Sequence, residues 1–257
     1  MTPHLVVYTT VYGEPQTAQV RLAFHQAVVS FVRDVNITWL DSRMFANIGE
    51  LSAARSRAAR LALGIPSMTH LLSWDEDVAG DQIGRCLTGM LMSGHAIVGV
   101  PYPKKVFHWD RVVSRARELA ATPERITREA LESVAYDYSY RLTSRFAGEP
   151  IDAHRCVRVD GVGCGFALTS RAALERMTVH YDGPALTFKS DFDSVDTVGL
   201  FMPLIVDGIL LNDDFAFCER AGAIGIPTHL YLGEGAPLDH YGSFAFRGQS
   251  SALVDNS

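Results

Sequence analysis

His70-Leu71-Leu72-Ser73-Trp74-Asp75-Glu76-Asp77-Val78 is an apolar run that stops abruptly in three consecutive acids. A short apolar run of this kind reads as a buried strand, here spanning residues 68–74. A charge cluster at the end of a buried strand needs a neutralising partner. Hard divalent cations supply one, because they prefer carboxylate oxygens. Along an extended strand, side chains two residues apart point the same way. Asp75 and Asp77 are therefore expected to share one metal, or a metal and its bound phosphate, with Glu76 directed away. The competing reading is a solvated acidic turn.

Outward from this stretch, the first hundred residues alternate strand and helix. Residues 4–10 and 36–41 are strand candidates, and 14–34 carry apolar residues at helical spacing. Leu51–Leu63 is rich in Ala, Leu and Arg, with Asn47 and Glu50 placed as a capping box and Gly64 and Pro66 as stop signals. A helix at 82–93 and a strand at 96–101 follow. Such alternation predicts a mixed, mainly parallel α/β sheet flanked by helices. Residues 103–150 break the pattern; they are charged and helical by propensity, and read as an insertion or lid. The sheet signal resumes over 156–170, followed by a helix at 171–177. An acidic loop at 188–196, a helix at 212–223 capped by Asn212 or Asp213, and a strand at 228–232 complete the reading. One domain is expected over 1–248, with a nucleotide-binding half at 1–102 and an acceptor-side half at 151–248. The tail, 249–257, is expected to be flexible.

Composition narrows the function classes. The chain has 257 residues, 47% of them hydrophobic, enough for a sizeable core. A net charge of −6 gives no global footprint for nucleic acid, although a local basic patch is compatible with it. Cys86, Cys156, Cys164 and Cys218 form no CxxC pair and read as reduced core thiols. The first fifteen residues lack a basic, apolar leader, and no apolar run approaches the ~20 residues of a membrane span. A cytoplasmic protein without a transmembrane segment is expected.

Ligands of α/β sheets bind beyond the carboxyl ends of the strands. Thr9, Thr10 and Tyr12 fall at that end of the first strand, Asp41 at that of the second, and Asp75 to Asp77 at that of the third. Arg55, Arg57 and Arg60 lie on the preceding helix, where guanidinium groups could bind phosphate oxygens; a solvated basic face is the alternative. Asp213-Asp214-Phe215 opens a helix; one carboxylate suffices for capping, so the second invites an acid–base role. Asp239-His240-Tyr241-Gly242 offers an imidazole that could complete a metal shell. The glycines of Gly161-Val162-Gly163-Cys164-Gly165 lack phosphate-loop spacing and point to close backbone approach to a ligand, or a bulge. Tyr136, Tyr138 and Tyr140 could stack on a sugar or base, or pack.

In order, these blocks resemble a nucleotide-sugar-dependent glycosyltransferase of the GT-A fold. The helix Ser52-Ala53-Ala54-Arg55-Ser56-Arg57 precedes the DxD strand, Leu71 to Asp77. Gly99-Val100-Pro101-Tyr102-Pro103-Lys104 resembles the strand after it, and residues 162–171 the glycine-rich acceptor-side strand. Asn212 to Cys218 and His240-Tyr241-Gly242 resemble the acidic helix start and the C-terminal metal histidine. The resemblance implies a GT-A, Rossmann-like fold with a helical insertion. It implies Mn²⁺ or Mg²⁺ on Asp77 and His240, with Asp75 on the metal or the ribose. Thr9, Tyr12, Asp41, Arg55, Arg57 and Lys104 would line the donor site, and Lys105 could stand in for Lys104. Asp214, or its neighbour Asp213, would serve the acceptor hydroxyl. Asp213 stands where the family more often has Glu, and Asn212 where it often has Ser. The implied reaction moves a sugar from a UDP- or GDP-sugar to a hydroxyl acceptor on a glycan, lipid-linked glycan, protein or small molecule. The alternatives are a sugar-nucleotide nucleotidyltransferase and a non-catalytic nucleotide-sugar-binding module.

Overall fold

The structure, a computed structural model, describes residues 2–9, 36–40, 51–122, 125–190, 193–242 and 245–248. Seven strands make the central sheet: β1 (His4–Tyr8), β2 (Asn36–Trp39), β3 (His70–Trp74), β4 (Ile97–Gly99), β5 (Cys156–Val159), β6 (Phe166–Ser170) and β7 (Thr228–Tyr231). Their order is β2-β1-β3-β6-β4-β7-β5. β1, β2, β3, β4 and β7 run one way and β5 and β6 the other, so the sheet is mixed but mainly parallel in direction. Six helices accompany it among the described residues: α1 (Leu51–Leu63), α2 (Ile83–Ser93), α3 (Trp109–Leu119), α4 (Arg128–Glu132), α5 (Arg171–Tyr181) and α6 (Asp213–Ala223).

The strands are apolar on both faces because both faces are covered. On β1, Val6 and Tyr8 join one core with Ala54, Ala58 and Ala62 of α1, Leu174 of α5 and Phe217 of α6. Leu5 and Val7 face the other core, with Trp74, Phe166 and Ile83, Cys86 and Leu87 of α2. The period of two along the strand thus sends alternate residues into separate cores. The small side chains on the buried face of α1 let that helix lie close to the sheet.

Most expected elements occur within a residue or two of their expected limits, and α1 has the expected ones. The expected helix at 14–34 and the capping pair Asn47 and Glu50 lie outside the described residues. Residues 188–190 and 193–196, expected within an acidic loop, lie instead in two antiparallel strands, Thr187–Ser190 and Asp193–Val198. The strand-favouring Val195, Thr197 and Val198 outweigh the acids, and Thr197 is buried where this strand passes α1. A second hairpin, Leu204–Val206 with Ile209–Leu211, was not anticipated. Its turn residues Asp207 and Gly208 both have positive φ, the pairing that an Asp-Gly hairpin turn favours.

Residues 103–150 are only partly helical. α3 buries none of its residues. Behind it, Ala135, Tyr136, Tyr138 and Phe246 form a small separate core. Tyr140–Arg141 pairs with Gly161–Val162. Among the described residues, no helix is long and apolar enough to cross a membrane.

Candidate functional site

The acidic stretch is not a continuation of β3. The Trp74 indole N–H is fully buried and donates to the Val78 carbonyl at 2.8 Å. A buried donor needs an acceptor, and this one is reached only if the chain turns back at once. The Val78 N–H donates to the Asp75 carbonyl at 3.0 Å, closing the turn, and the Asp75 N–H donates to Gly165 of the neighbouring segment at 2.9 Å. The expectation that Asp75 and Asp77 point the same way along an extended strand is therefore corrected. The two carboxylates have different partners.

Asp75 turns inward to Arg55. The Arg55 side chain is only 2% exposed, and its guanidinium is divided among three acids. Nη2 meets Asp75 Oδ2 at 3.2 Å, Nε meets Asp213 Oδ2 at 3.1 Å, and Nη1 meets Asp214 Oδ1 at 3.1 Å. The last two contacts fall outside hydrogen-bonding angles, so charge rather than directed hydrogen bonding holds them. Arg55 is thus fully engaged within the protein, rather than presented to a bound phosphate. One positive charge faces three negative ones. Burial, then the neighbouring Asp214, pushes the Asp213 carboxyl up to about 6, against the opposing pull of Arg55. Both acids sit in the first turn of α6, where the helix dipole favours negative charge.

Asp77 turns the other way. Its Oδ1 lies 3.4 Å from His240 Nε2, and its Oδ2 accepts from the Lys105 ammonium. Burial alone would raise its carboxyl, but the hydrogen bonds and charges of His240 and Lys105 outweigh that and hold it below its ordinary value. Backbone pairing explains how His240 arrives. Asp239–Tyr241 lies antiparallel to Val78–Ala79, with His240 opposite Val78, and the Tyr241 N–H donates to the Asp77 carbonyl at 2.7 Å. His240 Nδ1 lies 2.8 Å from the Pro103 carbonyl oxygen. A carbonyl only accepts, so Nδ1 carries the proton. In neutral His240, Nε2 then turns a bare lone pair toward a carboxylate. Two acceptors at that separation repel unless a cation lies between them or the ring is protonated.

Tyr102, not singled out from the sequence, joins the two halves. Its ring meets His240 edge-on, with centroids 5.2 Å apart. Burial, followed by the charges of Asp214 and Asp75, raises its phenol well above the ordinary value. The phenol oxygen accepts from the Gly165 N–H at 2.9 Å. A Cβ on Gly163 or Gly165 would lie 2.4 or 2.5 Å from that oxygen. The close approach that these glycines permit is therefore to Tyr102, rather than to a ligand. A Tyr between two prolines, in Pro101-Tyr102-Pro103, was the available signal.

The remaining expected residues divide. Thr9 is buried at the carboxyl end of β1, and its Oγ1 has no hydrogen-bond partner among the described residues. Tyr12 and Asp41 lie outside the described residues. Arg57 is half-buried on α1. Lys104 is exposed and meets Asp137 through its backbone N–H, so Lys105, and not Lys104, is the lysine brought to the acidic turn. Tyr136 and Tyr138 are buried; Tyr136 packs edge-on against Phe107 and Phe246, which favours packing over ligand stacking. Among the described residues, Asp75, Asp77 and His240 do not form a group whose ligand atoms all lie within 4.8 Å of one another, because Arg55 draws Asp75 aside.

No known protein family matches the sequence, and no curated protein matches it. The fold is similar to the crystal structure of A197 from STIV, at 15% identity, over 93% of this chain and 85% of that one, with a TM-score of 0.47. A likeness that distant does not bear on the site.

Proposed function

We propose that this protein is a metal-dependent glycosyltransferase of the GT-A type, which moves a sugar from a UDP- or GDP-sugar to a hydroxyl acceptor. The observation that carries the reading is the facing pair Asp77 and His240, with the histidine Nδ1 hydrogen anchored on a backbone carbonyl. Metal-bound histidines are oriented in this way, their second nitrogen donating to a carbonyl or carboxylate. The donor set fits the implied ion. A carboxylate oxygen suits Mn²⁺ and Mg²⁺, and the imidazole nitrogen favours Mn²⁺ of the two. Asp77 and His240 would hold it, and it would supply Lewis-acid stabilisation of a departing diphosphate.

The chain's own residues supply the rest. Lys105 shields the Asp77 charge and is exposed enough to swing from it to a phosphate oxygen. Arg55 fixes Asp75, Asp213 and Asp214 in one cluster behind the turn. Asp214 is the more exposed member of the acid pair and accepts the hydrogen bond of the acceptor hydroxyl. Asp213, the more buried, is the one that can take up a proton just below neutral pH.

A thermal-shift screen of UDP-glucose, UDP-galactose and GDP-mannose, with and without Mn²⁺, tests the reading. Stabilisation by one nucleotide class that needs Mn²⁺, and that Asp77→Ala abolishes, is expected. An equal response in Asp77→Ala, or none to any donor, overturns it. Slow release of nucleoside diphosphate from the stabilising donor distinguishes a transferase from a binding module.

A further inference from the structure

On the α2 side of the sheet, a second group of polar side chains converges. His95 follows the C-terminal end of α2, after Gly94 in its left-handed cap. Cys156 begins the edge strand β5, opposite Tyr231 of β7. Asp152 lies in the loop leading into β5. His95 Nε2 and Asp152 Oδ2 are 2.7 Å apart. The ligand atoms of His95, Asp152 and Cys156 all lie within 4.8 Å of one another.

The loop is shaped for this convergence. Arg155, between Asp152 and Cys156, has a φ of 61°, a left-handed conformation that a non-glycine residue adopts at some cost. That bend lets Asp152 Oδ1 accept from the N–H groups of both His154 and Cys156, at 2.9 Å each. Its Oδ2 is thereby aimed at His95. The His95 ring is held in turn by His229 of β7, stacked on it with centroids 3.6 Å apart and planes 12° from parallel. A His–Asp hydrogen bond alone would explain two of the three groups. The buried Cys156 thiol, which donates to the His154 carbonyl at 3.8 Å, brings a third donor atom to the same point.

We propose that His95, Asp152 and Cys156 bind a divalent ion of the zinc class, at a site separate from the acidic turn. One sulfur, one nitrogen and one oxygen make a borderline-soft donor set that suits Zn²⁺ and disfavours Mg²⁺ and Ca²⁺. Ligand atoms around tetrahedral Zn²⁺ lie roughly 3.4–3.8 Å apart, so the present spacing needs only small side-chain adjustments. Two ligands four residues apart close a short loop, and the third comes from a distant segment. His95 and Asp152 are partly exposed, leaving an approach from solvent and a fourth position for water. On binding, the Cys156 thiol bond to hydrogen breaks, its proton passes to solvent, and the sulfur lone pair forms the metal bond. The hydrogen that His95 Nε2 directs at Asp152 is likewise lost to solvent, the ring staying neutral with its proton on Nδ1, so that Nε2 and the carboxylate both turn lone pairs to the ion. Thiolate and carboxylate together then balance the charge of the ion. The ion would tie the end of α2 to the sheet edge at β5.

The test is titration of chelator-treated full-length protein with Co²⁺, followed by displacement with Zn²⁺. One equivalent of Co²⁺ is expected to produce a thiolate-to-cobalt charge-transfer band, which an oxygen-rich acidic turn cannot give. Cys156→Ser should abolish the band while leaving the far-ultraviolet circular dichroism unchanged. His95→Gln, which keeps the thiol, should weaken Zn²⁺ binding by more than about 100-fold, since loss of even an outer-shell partner costs about 10–100-fold. No charge-transfer band in the wild-type protein, or a band that survives in folded Cys156→Ser, overturns the proposal. If Cys156→Ser does not fold, unchanged Zn²⁺ affinity in His95→Gln overturns it independently.

Discussion

Asp75 and Asp77 are two residues apart in one turn, yet they inhabit different surroundings. Asp75 faces a guanidinium that is almost wholly buried and already shared with two other acids. Asp77 faces an exposed lysine and an imidazole whose Nε2 lies 3.4 Å from it. A DxD pattern suggests two equivalent ligands. Here the first acid anchors the turn to the core, and the second is held by side chains nearer the surface. Burial of the countercharge makes the difference: Arg55 cannot leave, whereas Lys105 can.

The largest effect should come from breaking the anchored side. Arg55→Met leaves three clustered carboxylates without their cation, and loss of one partner from a buried ion pair costs about 3–5 kcal/mol. Urea unfolding should show a loss of that order, and a change under about 1 kcal/mol would mean that the cluster is more hydrated than its geometry implies. Next comes Asp77→Ala on the open side. At a donor concentration about 100 times Kd, the wild type should gain about 2.7 kcal/mol from donor and Mn²⁺, and the variant none of it. A calorimetric melt with and without Mn²⁺ measures this.

Asp213 sharpens the contrast through pH. Its raised carboxyl binds a proton in the folded state that the unfolded chain has released. Its contribution to stability is full below the ordinary value of 3.8 and is lost as the pH rises through about 6. Asp213→Asn mimics the protonated form, so it should gain stability relative to wild type between about pH 4 and pH 8. A flat difference between the two melting curves across that range would remove the case for a strained acid pair. The smallest effect is expected for Lys105→Ala, within about 1 kcal/mol because exposed ion pairs contribute little. The same variant should still lose donor affinity if the lysine swings to phosphate.

The sheet was legible because its strands are apolar on both faces and its helices carry stop signals such as Gly64 and Pro66. The positions of the acids, of Arg55 and of His240 were legible too, and the fold brings Arg55 to Asp75 and His240 to Asp77. The division of labour among them was not. That Trp74 would find its acceptor at Val78, turning the chain, depends on burial that the local sequence does not reveal. Helical spacing sets Arg55, but not Arg57, on the face of Ala58, Ala59 and Ala62, yet it does not tell that three distant acids let a charge be sealed there. The glycines at 163 and 165 signalled a close approach correctly, but not that Tyr102 makes it. The Asp207-Gly208 turn, by contrast, carried a readable hairpin signal between two apolar triplets.

The short strand Asp239–Tyr241 gives this site an order of assembly. Asp77 leaves the ribosome early, with β3 and the turn, and Asp213 and Asp214 follow only after the hairpin at 204–211. His240 comes after β7, when every strand of the central sheet has already been synthesised. A nascent chain can therefore complete its sheet while it still lacks the imidazole opposite Asp77. A product shortened to end just beyond β7 would keep all seven sheet strands and lack the imidazole that faces Asp77. The sheet and the Asp77–His240 pairing are thus written in separate stretches of the chain, and the last stretch also supplies Leu238 and Phe246 to the cores.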